Sequence, residues 1–233
     1  MHPYRDLLLP RLIHGVMRDA RFLPLRRTLV APARGRVLEI GVGSGLDLPL
    51  YDPRRVSMVL GIDPSAVLLR LARRQAAATA FPVRLLRAEA ERLPLADATI
   101  DTVVSGWTLC SIPGIAAALA EIRRVLRPGG RFLFVEHGRA EDPAIARWQR
   151  RLTPLWRPLA GGCHLDRPIA RLLAEAGFAI AELETGYMLA GPRLFTYHYR
   201  GVAVPPAAAG EGASGGAEAE AAPDREGDAA CER

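Results

Sequence analysis

The chain has 233 residues, of which 49% are hydrophobic and 24% are charged, with 31 basic and 25 acidic side chains. This length suits one globular domain with a sizeable core. No run of 18 consecutive apolar residues occurs, so a membrane-spanning helix is not expected. Cysteines stand only at positions 110, 163 and 231, which gives neither a disulfide framework nor a zinc-ligand spacing. We therefore expect a cytoplasmic protein without a metal site, and leave peripheral attachment to a membrane open.

The charge is unevenly distributed along the chain. Residues 204–233 are rich in Ala, Gly and Glu and lack apolar periodicity, which predicts a disordered tail. That tail is acidic, so the rest of the chain is strongly basic, and all of its basic charge is arginine. A coding bias toward arginine explains this charge without a function; attraction to an anionic membrane surface is the alternative.

Residues 1–30 precede the first predicted strand. They carry apolar side chains at helical spacing, with arginines around them and Pro10 in a first turn or at a break: Leu8, Leu9, Leu12, Ile13, Val16 and Met17. Three interpretations stay open for this segment. It is a helix packed on the domain, a lid over a ligand site, or an anchor lying in a membrane interface.

Strand and helix patterns then alternate through residues 31–203, which predict one domain. Predicted strands cover 36–41, 57–62, 83–88, 100–106, 131–135, 178–183 and 195–202. Predicted helices cover 65–78, 114–126, 144–157 and 168–176, and the RPGG sequence at 127–130 predicts a break before the fifth strand. Near-continuous apolar strands alternating with helices are typical of an α/β fold with a doubly wound, mostly parallel sheet.

The most informative segment is VLEIGVGSG at 37–45, followed by a carboxylate at the end of the next strand, Asp63. Glycines 41, 43 and 45 permit a sharp turn and a close approach of the backbone to a ligand. Gly41 and Asp63 are 22 positions apart, the length of one strand–helix–strand unit. An acid at that place can accept hydrogen bonds from ribose hydroxyls, so the pattern predicts a site for a nucleotide-like cofactor.

The details of the loop exclude two cofactor classes. A dinucleotide fingerprint needs glycine at its sixth position, where this chain has Leu46. A P-loop needs a Gly-Lys pair, and the chain contains no lysine. With Glu39 before the glycines, the loop resembles the E/D-x-G-x-G-x-G motif of class I S-adenosylmethionine-dependent methyltransferases.

Three further segments resemble motifs of that family in the same order: RAEAERLPLAD at 87–97, IDTVVSGWTLCSI at 100–112 and RRVLRPGGRFLFVEHG at 123–138. The resemblance implies a Rossmann-like, seven-stranded sheet whose last strand is antiparallel. It implies S-adenosylmethionine as the cofactor, with Asp63 on the ribose, Glu89 on the adenine and Glu39 on the methionine end through the loop. The residues expected to bind the cofactor are Glu39, Gly41, Val42, Gly43, Ser44, Gly45, Asp63, Pro64, Glu89, Ala90 and Ser105.

The segment after the fifth strand should select the methyl acceptor. Its run of EH, two tryptophans and GCHLDR, between 136 and 167, resembles the methyltransferase-like thiol S-methyltransferases, and the resemblance spans roughly 36–202. It implies a small-molecule or lipid-like acceptor, with a thiol first. Phospholipid N-methyltransferases of the ethanolamine type share the core and are the alternative. A non-catalytic S-adenosylmethionine sensor is the alternative of another class.

A thiol acceptor needs only modest help from a base, since its pKa is about 8.5. His137 is the first candidate for a catalytic base, followed by His164 and Asp166; a capping role for His137 is the alternative. Cys110 is expected to be a buried structural thiol, and Cys163 with His164 lacks the second pair that a metal site needs. No aromatic–basic module for specific nucleic-acid binding is present. The sequence leaves the oligomeric state undetermined.

Overall fold

The computed structural model describes residues 4–206, so most of the predicted disordered tail, from residue 207 on, lies outside the described residues. The strands are β1 (Gly35–Ile40), β2 (Val56–Ile62), β3 (Val83–Leu86), β4 (Ile100–Gly106), β5 (Leu126–His137), β6 (Ala179–Tyr187) and β7 (Tyr197–Val204). The helices are α1 (Leu9–Met17), α2 (Leu23–Val30), α3 (Ala66–Ala76), α4 (Ile115–Val125), α5 (Pro143–Leu159), α6 (Ile169–Glu175) and α7 (Arg193–Thr196).

All seven strands form one sheet in the order β3-β2-β1-β4-β5-β7-β6. Strands β1 to β5 pair in parallel, whereas β7 is antiparallel to both of its neighbours, β5 and β6. The chain leaves β1 toward β2 and β3 and then returns to the other side of β1 with β4. This reversal creates a crevice at the carboxyl ends of β1 and β4, where ligands bind in open α/β sheets. The predicted Rossmann-like fold with an antiparallel last strand is confirmed.

Both faces of the sheet are buried, which explains the near-continuous apolar strands. Neighbouring residues such as Val37 and Leu38 point to opposite faces because the side-chain period of a strand is two. Leu38 belongs to a core shared with α4 and α6. Val37 belongs to a second core shared with α2 and α3. Alternate residues of each central strand therefore hold the helices of one layer or the other.

The N-terminal segment divides into two parts with different surroundings. Helix α2 ends in the core, where Leu29 and Val30 are almost completely buried. Pro10 occupies the first turn of α1, where its missing N–H costs no helical hydrogen bond. Several apolar side chains of this region, among them Leu12 and Val16, stay exposed. Within residues 4–206, no helix combines the length and the apolar character that crossing a bilayer requires.

Most predicted boundaries differ from the observed ones by one to four residues, and one prediction is wrong. The RPGG sequence does not break the chain before the fifth strand, since β5 already begins at Leu126. Leu126 pairs with Ile100 and Arg131 with Thr102. Between these two pairs β5 advances by five residues while β4 advances by two. Gly129 adopts a positive φ of 72° there. The turn-forming residues thus make a bulge inside a strand rather than a loop before it.

Replacing Gly201 of β7 tests how tightly the antiparallel strand is packed. A Cβ at this position would overlap the carbonyl oxygen of Glu182 and lie 2.9 Å from the ring of Phe134. We expect Gly201→Ala to lower the free energy of unfolding by roughly 3 kcal/mol or more, measured by urea denaturation. In α1 a Cβ at Gly15 would meet nothing within 4 Å. Gly15→Ala should therefore raise stability by about 0.5–1 kcal/mol, and equal effects of the two changes would contradict the packing argument.

Candidate functional site

A cavity of about 950 Å³ lies at the carboxyl ends of β1, β2 and β4. One part of its wall comes from the loops that follow these strands and the loop after β3. The opposite part comes from α1, the end of α5 and the turn after α5. The cavity therefore occupies the crevice that the reversal of strand order creates, and residues far apart in sequence enclose it.

The glycine-rich loop after β1 turns through left-handed backbone conformations. Gly41 has a φ of 67° and Gly43 a φ of 54°, which strain any residue with a Cβ. A Cβ at Gly41 would also overlap the side chain of Thr108 from the loop after β4. Glycine is therefore required at position 41 both for the turn and for the contact between two walls of the cavity.

Asp63 fixes this loop from the end of the neighbouring strand. Its Oδ2 accepts a hydrogen bond from the backbone N–H of Gly43 at 3.1 Å, and its Oδ1 accepts one from that of Ser65 at 2.7 Å. The side chain lines the cavity and is 7% exposed. Burial raises the pKa of this carboxyl, and the two backbone hydrogen bonds oppose the rise. Asp63 thus presents a carboxylate to the cavity while it holds the glycine loop in place.

The structure brings most of the predicted cofactor residues to the cavity wall: Gly41, Val42, Gly43, Ser44, Asp63, Pro64, Glu89 and Ala90. It does not place Glu39, Gly45, Ser105 or His137 on that wall. Gly45 instead packs against the backbone of Ala72 in α3, where a Cβ would lie 3.1 Å from the Cα. Gly41 and Gly43 of the motif therefore line the cavity, whereas Gly45 allows the close packing of the loop against α3.

Glu39 lies beneath the loop and is 2% exposed. Its Oε2 accepts a hydrogen bond from the Tyr51 hydroxyl at 2.9 Å. Burial raises the pKa of Glu39 well above its usual range, and the nearby carboxylate of Asp47 raises it further. Glu39 supports the loop from below, so its influence on a bound ligand passes through the loop.

A buried ion pair connects the N-terminal segment with the same loop, and the sequence analysis did not find it. Arg26 of α2 donates to Asp47 at 2.7 Å and to the carbonyl oxygen of Met17 at 3.1 Å. Its guanidinium carbon also lies 5.0 Å from the centre of the Trp107 ring, within cation–π distance. No sequence signal distinguishes Arg26 from its neighbours. One arginine thereby joins the end of α1, the glycine loop and the loop after β4.

Glu136, at the end of β5, organises the loop after β4 in the same way. Its Oε1 accepts hydrogen bonds from the Ser105 hydroxyl at 2.7 Å and the Thr108 N–H at 3.1 Å. Its Oε2 accepts one from the Cys110 N–H at 3.4 Å. Ser105 is completely buried and holds this carboxylate behind the cavity. Burial raises the pKa of Glu136 to about 7, although the hydrogen bonds to this carboxylate lower it.

His14 is a second residue that the sequence analysis missed. It lines the cavity from α1, and its Nδ1 lies 2.8 Å from the Oγ of Ser44 in the glycine loop. Of the described residues that line the cavity, it alone carries an imidazole. Its position one helical turn after Pro10 and beside Ile13 and Met17 was a usable signal, because all four share one side of α1.

The predicted catalytic base, His137, has other neighbours. Its Nε2 lies 3.4 Å from the carbonyl oxygen of Leu194, and its Nδ1 lies 4.0 Å from the Sγ of Cys163. The two other candidates, His164 and Asp166, lie 4.0 Å apart and not on the cavity wall. Among residues 4–206, no group of three histidine, cysteine or carboxylate side chains has the geometry of a metal site.

Comparison with known proteins assigns the fold and site to a class. A family model described as a methyltransferase domain matches residues 38–134. The chain is 36% identical over 163 residues to the phosphatidylethanolamine N-methyltransferase of Cereibacter sphaeroides, covering 68% of this chain and 78% of that protein. It is 32% identical over 152 residues to the thiol S-methyltransferase TMT1B of Rattus norvegicus, covering 64% of this chain and 62% of that protein. It thus spans less than two thirds of the rat protein's length.

Among solved structures, an S-adenosylmethionine-dependent methyltransferase from Mesorhizobium loti has the same fold, with a TM-score of 0.62 at 22% identity over 81% of this chain and all of that one. Fold, cavity and relatives agree on one class of protein. The chain belongs to the class I S-adenosylmethionine-dependent methyltransferases, and S-adenosylmethionine is its cofactor. The predicted family is confirmed.

The raised pKa of Glu136 predicts a pH dependence of stability. Between its ordinary pKa of 4.5 and the folded value of about 7, the folded protein keeps a proton that the unfolded chain releases. The free energy of unfolding should therefore fall as pH rises through this window, by about 3 kcal/mol from this group. Glu136→Gln should remove that part of the slope between pH 5 and pH 8 in urea denaturation.

Glu182 is exposed and offers a matched control. Glu182→Gln removes one carboxyl from the surface of β6 in place of the buried one, and the slope of the unmodified protein should persist. An equal slope in the Glu136→Gln protein and the unmodified protein would contradict the assignment.

Proposed function

We propose that this protein transfers the methyl group of S-adenosylmethionine to a small apolar or lipid-like acceptor, with a thiol as the leading class. The observation that carries this proposal is the division of one cavity into two chemically different parts. Polar and glycine-rich loops from the strands form one part, and mainly apolar side chains of α1 and α5, with His14 and Arg157 among them, form the other. An electrophilic cofactor and an apolar acceptor can meet at their boundary.

The strand side of the cavity fits the cofactor. Asp63 offers a carboxylate to ribose hydroxyls, and Glu89 offers another acceptor at the loop after β3, beside the apolar Ala90. The backbone at Gly41 and Gly43 can approach the ligand because neither residue has a side chain. Leu46 takes the place of the sixth-position glycine that a pyrophosphate-binding loop needs, which suits a ligand without that group.

The helix side of the cavity fits an apolar acceptor. Leu9, Ile13 and Met17 of α1 face it, with Pro154 and Pro158 of α5. Apart from His14 and Arg157, the helix side presents apolar groups, so an acceptor is held mainly by apolar contact. Resemblance to thiol S-methyltransferases supports a thiol over a more polar nucleophile.

Methyl transfer requires positioning and, for a thiol, removal of one proton. Bound S-adenosylmethionine supplies an electrophilic methyl group on a sulfonium. His14 can accept the proton: when its Nδ1–H donates to the Ser44 hydroxyl, Nε2 carries the lone pair. The same hydrogen bond fixes α1 against the glycine loop, so base and cofactor loop keep one geometry.

A phospholipid amine is the second candidate acceptor, and the surface around the cavity favours it. Apolar side chains on α1, on α5 and just before α1 are exposed: Leu8, Leu12, Val16, Leu155 and Leu159. The Tyr4 hydroxyl donates to the carbonyl oxygen of Leu159 at 2.9 Å, which joins the N-terminal segment to the end of α5. Exposed arginines flank this surface. Peripheral contact with an anionic membrane would bring a lipid headgroup to the cavity.

Replacing Asp63 tests the cofactor site. Asp63→Asn removes the charge, and we expect the Kd for S-adenosylmethionine in calorimetry to rise roughly 10- to 100-fold, because a hydrogen bond to a charged group contributes about 1.5–3 kcal/mol. Asp52 is the matched control: it also accepts the N–H two residues later, at 2.9 Å from Arg54, and does not line the cavity. Asp52→Asn should bind normally. Normal binding by a folded Asp63→Asn protein would defeat the cofactor assignment.

Replacing His14 tests the base and the acceptor together, with cofactor labelled in its methyl group and a panel of thiols, amines and phosphatidylethanolamine vesicles. For a thiol we expect His14→Gln to lower kcat about 100-fold at pH 7, with the loss shrinking above pH 9, where the thiol ionises unaided. Equal losses at both pH values would mean that His14 only positions α1. Label in vesicles alone would select the phospholipid, and label in no acceptor despite normal cofactor binding would select the non-catalytic sensor.

A further inference from the structure

A cluster of reactive side chains lies directly behind the cavity wall. Cys110 follows β4, Cys163 follows α5, and His137 ends β5. The backbone N–H of His164 donates to the carbonyl oxygen of Cys110 at 2.9 Å, which joins the two cysteine-bearing segments. Both cysteines are free thiols, and Gly162 next to Cys163 packs against the carbonyl oxygen of Ser111 next to Cys110, so the two thiols belong to adjoining backbone segments. Methyl transfer as described above uses neither of them.

An imidazole and a buried indole lie on the elements around Cys163. The Nδ1 of His137 lies 4.0 Å from the Cys163 sulfur. The Nε1 of Trp156, near the end of α5, is buried and has no hydrogen-bond partner among residues 4–206. A donor without a neutral acceptor in a buried place stabilises an anion beside it. The arrangement therefore suits a thiolate at Cys163 and a protonated thiol at Cys110.

The charges around the pair agree with this assignment. The neighbouring Cys110 thiol lowers the pKa of the Cys163 thiol, and His137 lowers it further, against the effect of burial. The neighbouring Cys163 and burial raise the pKa of Cys110 well above its usual range. Arg167 adds a buried positive charge beside both, where it donates to the carbonyl oxygens of Leu109 and Ile112. Only the deprotonated member of such a pair is a strong nucleophile.

We propose that Cys163 and Cys110 form a peroxide-sensitive pair that closes to a disulfide behind the cavity. The Cys163 thiolate attacks one oxygen of hydrogen peroxide, the O–O bond breaks, and the leaving hydroxide takes a proton to become water. The Cys110 thiol then attacks the resulting sulfenic acid and expels a second water. Two thiols lose two hydrogens, and one peroxide is reduced to two waters.

The disulfide would act on the cavity through two wall residues. Ser111 and Gly162 line the cavity and are the immediate neighbours of Cys110 and Cys163. They already touch closely, since a Cβ at Gly162 would lie 3.0 Å from the carbonyl oxygen of Ser111. A covalent bond between adjacent residues shortens and fixes this contact, so ligand binding in the cavity should weaken in the oxidised protein and recover after reduction.

The test is peptide mapping of the full-length protein after a brief treatment with hydrogen peroxide. We expect a disulfide between the peptides that contain Cys110 and Cys163, reversed by dithiothreitol. In Cys110→Ser, a sulfenic acid should persist at Cys163 and react with dimedone; in Cys163→Ser, neither product should form. Cys231→Ser is the matched control and should behave like the unmodified protein. Oxidation of Cys163 no faster than that of Cys231, or a disulfide that includes Cys231, would overturn the proposal.

Alkylation rates supply a second measurement that does not depend on methyl transfer. Cys163 should react with iodoacetamide at pH 6 at least 10-fold faster than Cys231, since the thiolate is the reactive form. The Trp156 ring packs against that of Phe195, with centroids 4.8 Å apart, so Trp156→Phe keeps an aromatic contact there while it removes the N–H and the second ring. This variant should react several-fold more slowly at pH 6 and normally at pH 9. A rate unchanged by the loss of the N–H, together with no disulfide, would defeat the assignment of the thiolate.

Discussion

Buried carboxylates at the ends of parallel strands hold the loops on which the cavity depends. Asp63 at the end of β2 accepts the N–H of Gly43 in the loop after β1. Glu136 at the end of β5 accepts the N–H groups of Thr108 and Cys110 in the loop after β4. In each case the acid of one strand fixes the loop that follows its neighbour. Burial removes water from both carboxylates and raises their pKa values. The hydrogen bonds from backbone N–H groups offset part of this loss of hydration, and those N–H groups would otherwise lack partners.

The two loops meet and are joined to the N-terminal segment. Gly41 leaves room for the Thr108 side chain, and Arg26 contacts both the Asp47 carboxylate and the Trp107 ring. Arg26 also holds the end of α1, through the Met17 carbonyl oxygen. Removing only one member of a buried ion pair leaves the other charge uncompensated, so replacing either Arg26 or Asp47 alone should lower the stability of the fold. Helix α1 is therefore part of the cavity wall, and the helix side of the cavity depends on a segment that precedes the family's motifs.

Glu136 links the proposed methyl transfer with the proposed oxidation. The loop that it holds contributes Thr108 and Ser111 to the cavity wall and Cys110 to the cysteine pair. A change of covalent structure at Cys110 therefore acts on a segment that is already fixed at two backbone N–H groups. A loop held so firmly transmits a displacement to its neighbours instead of absorbing it.

The sequence by itself determined the fold and predicted most of the loop residues that line the strand side of the cavity. Those features depend on local rules: apolar strands alternate with helices, glycines occupy left-handed turns, and Asp63 follows a strand by one residue. Local rules failed at RPGG, because pairing with β4 kept β5 continuous through a bulge. Only the tertiary structure decided that His14 lines the cavity while His137 lies beside Cys163, and that Arg26 reaches Asp47. These contacts join residues of separate elements, and their distances follow from how the helices pack on the sheet, which no spacing along the chain encodes.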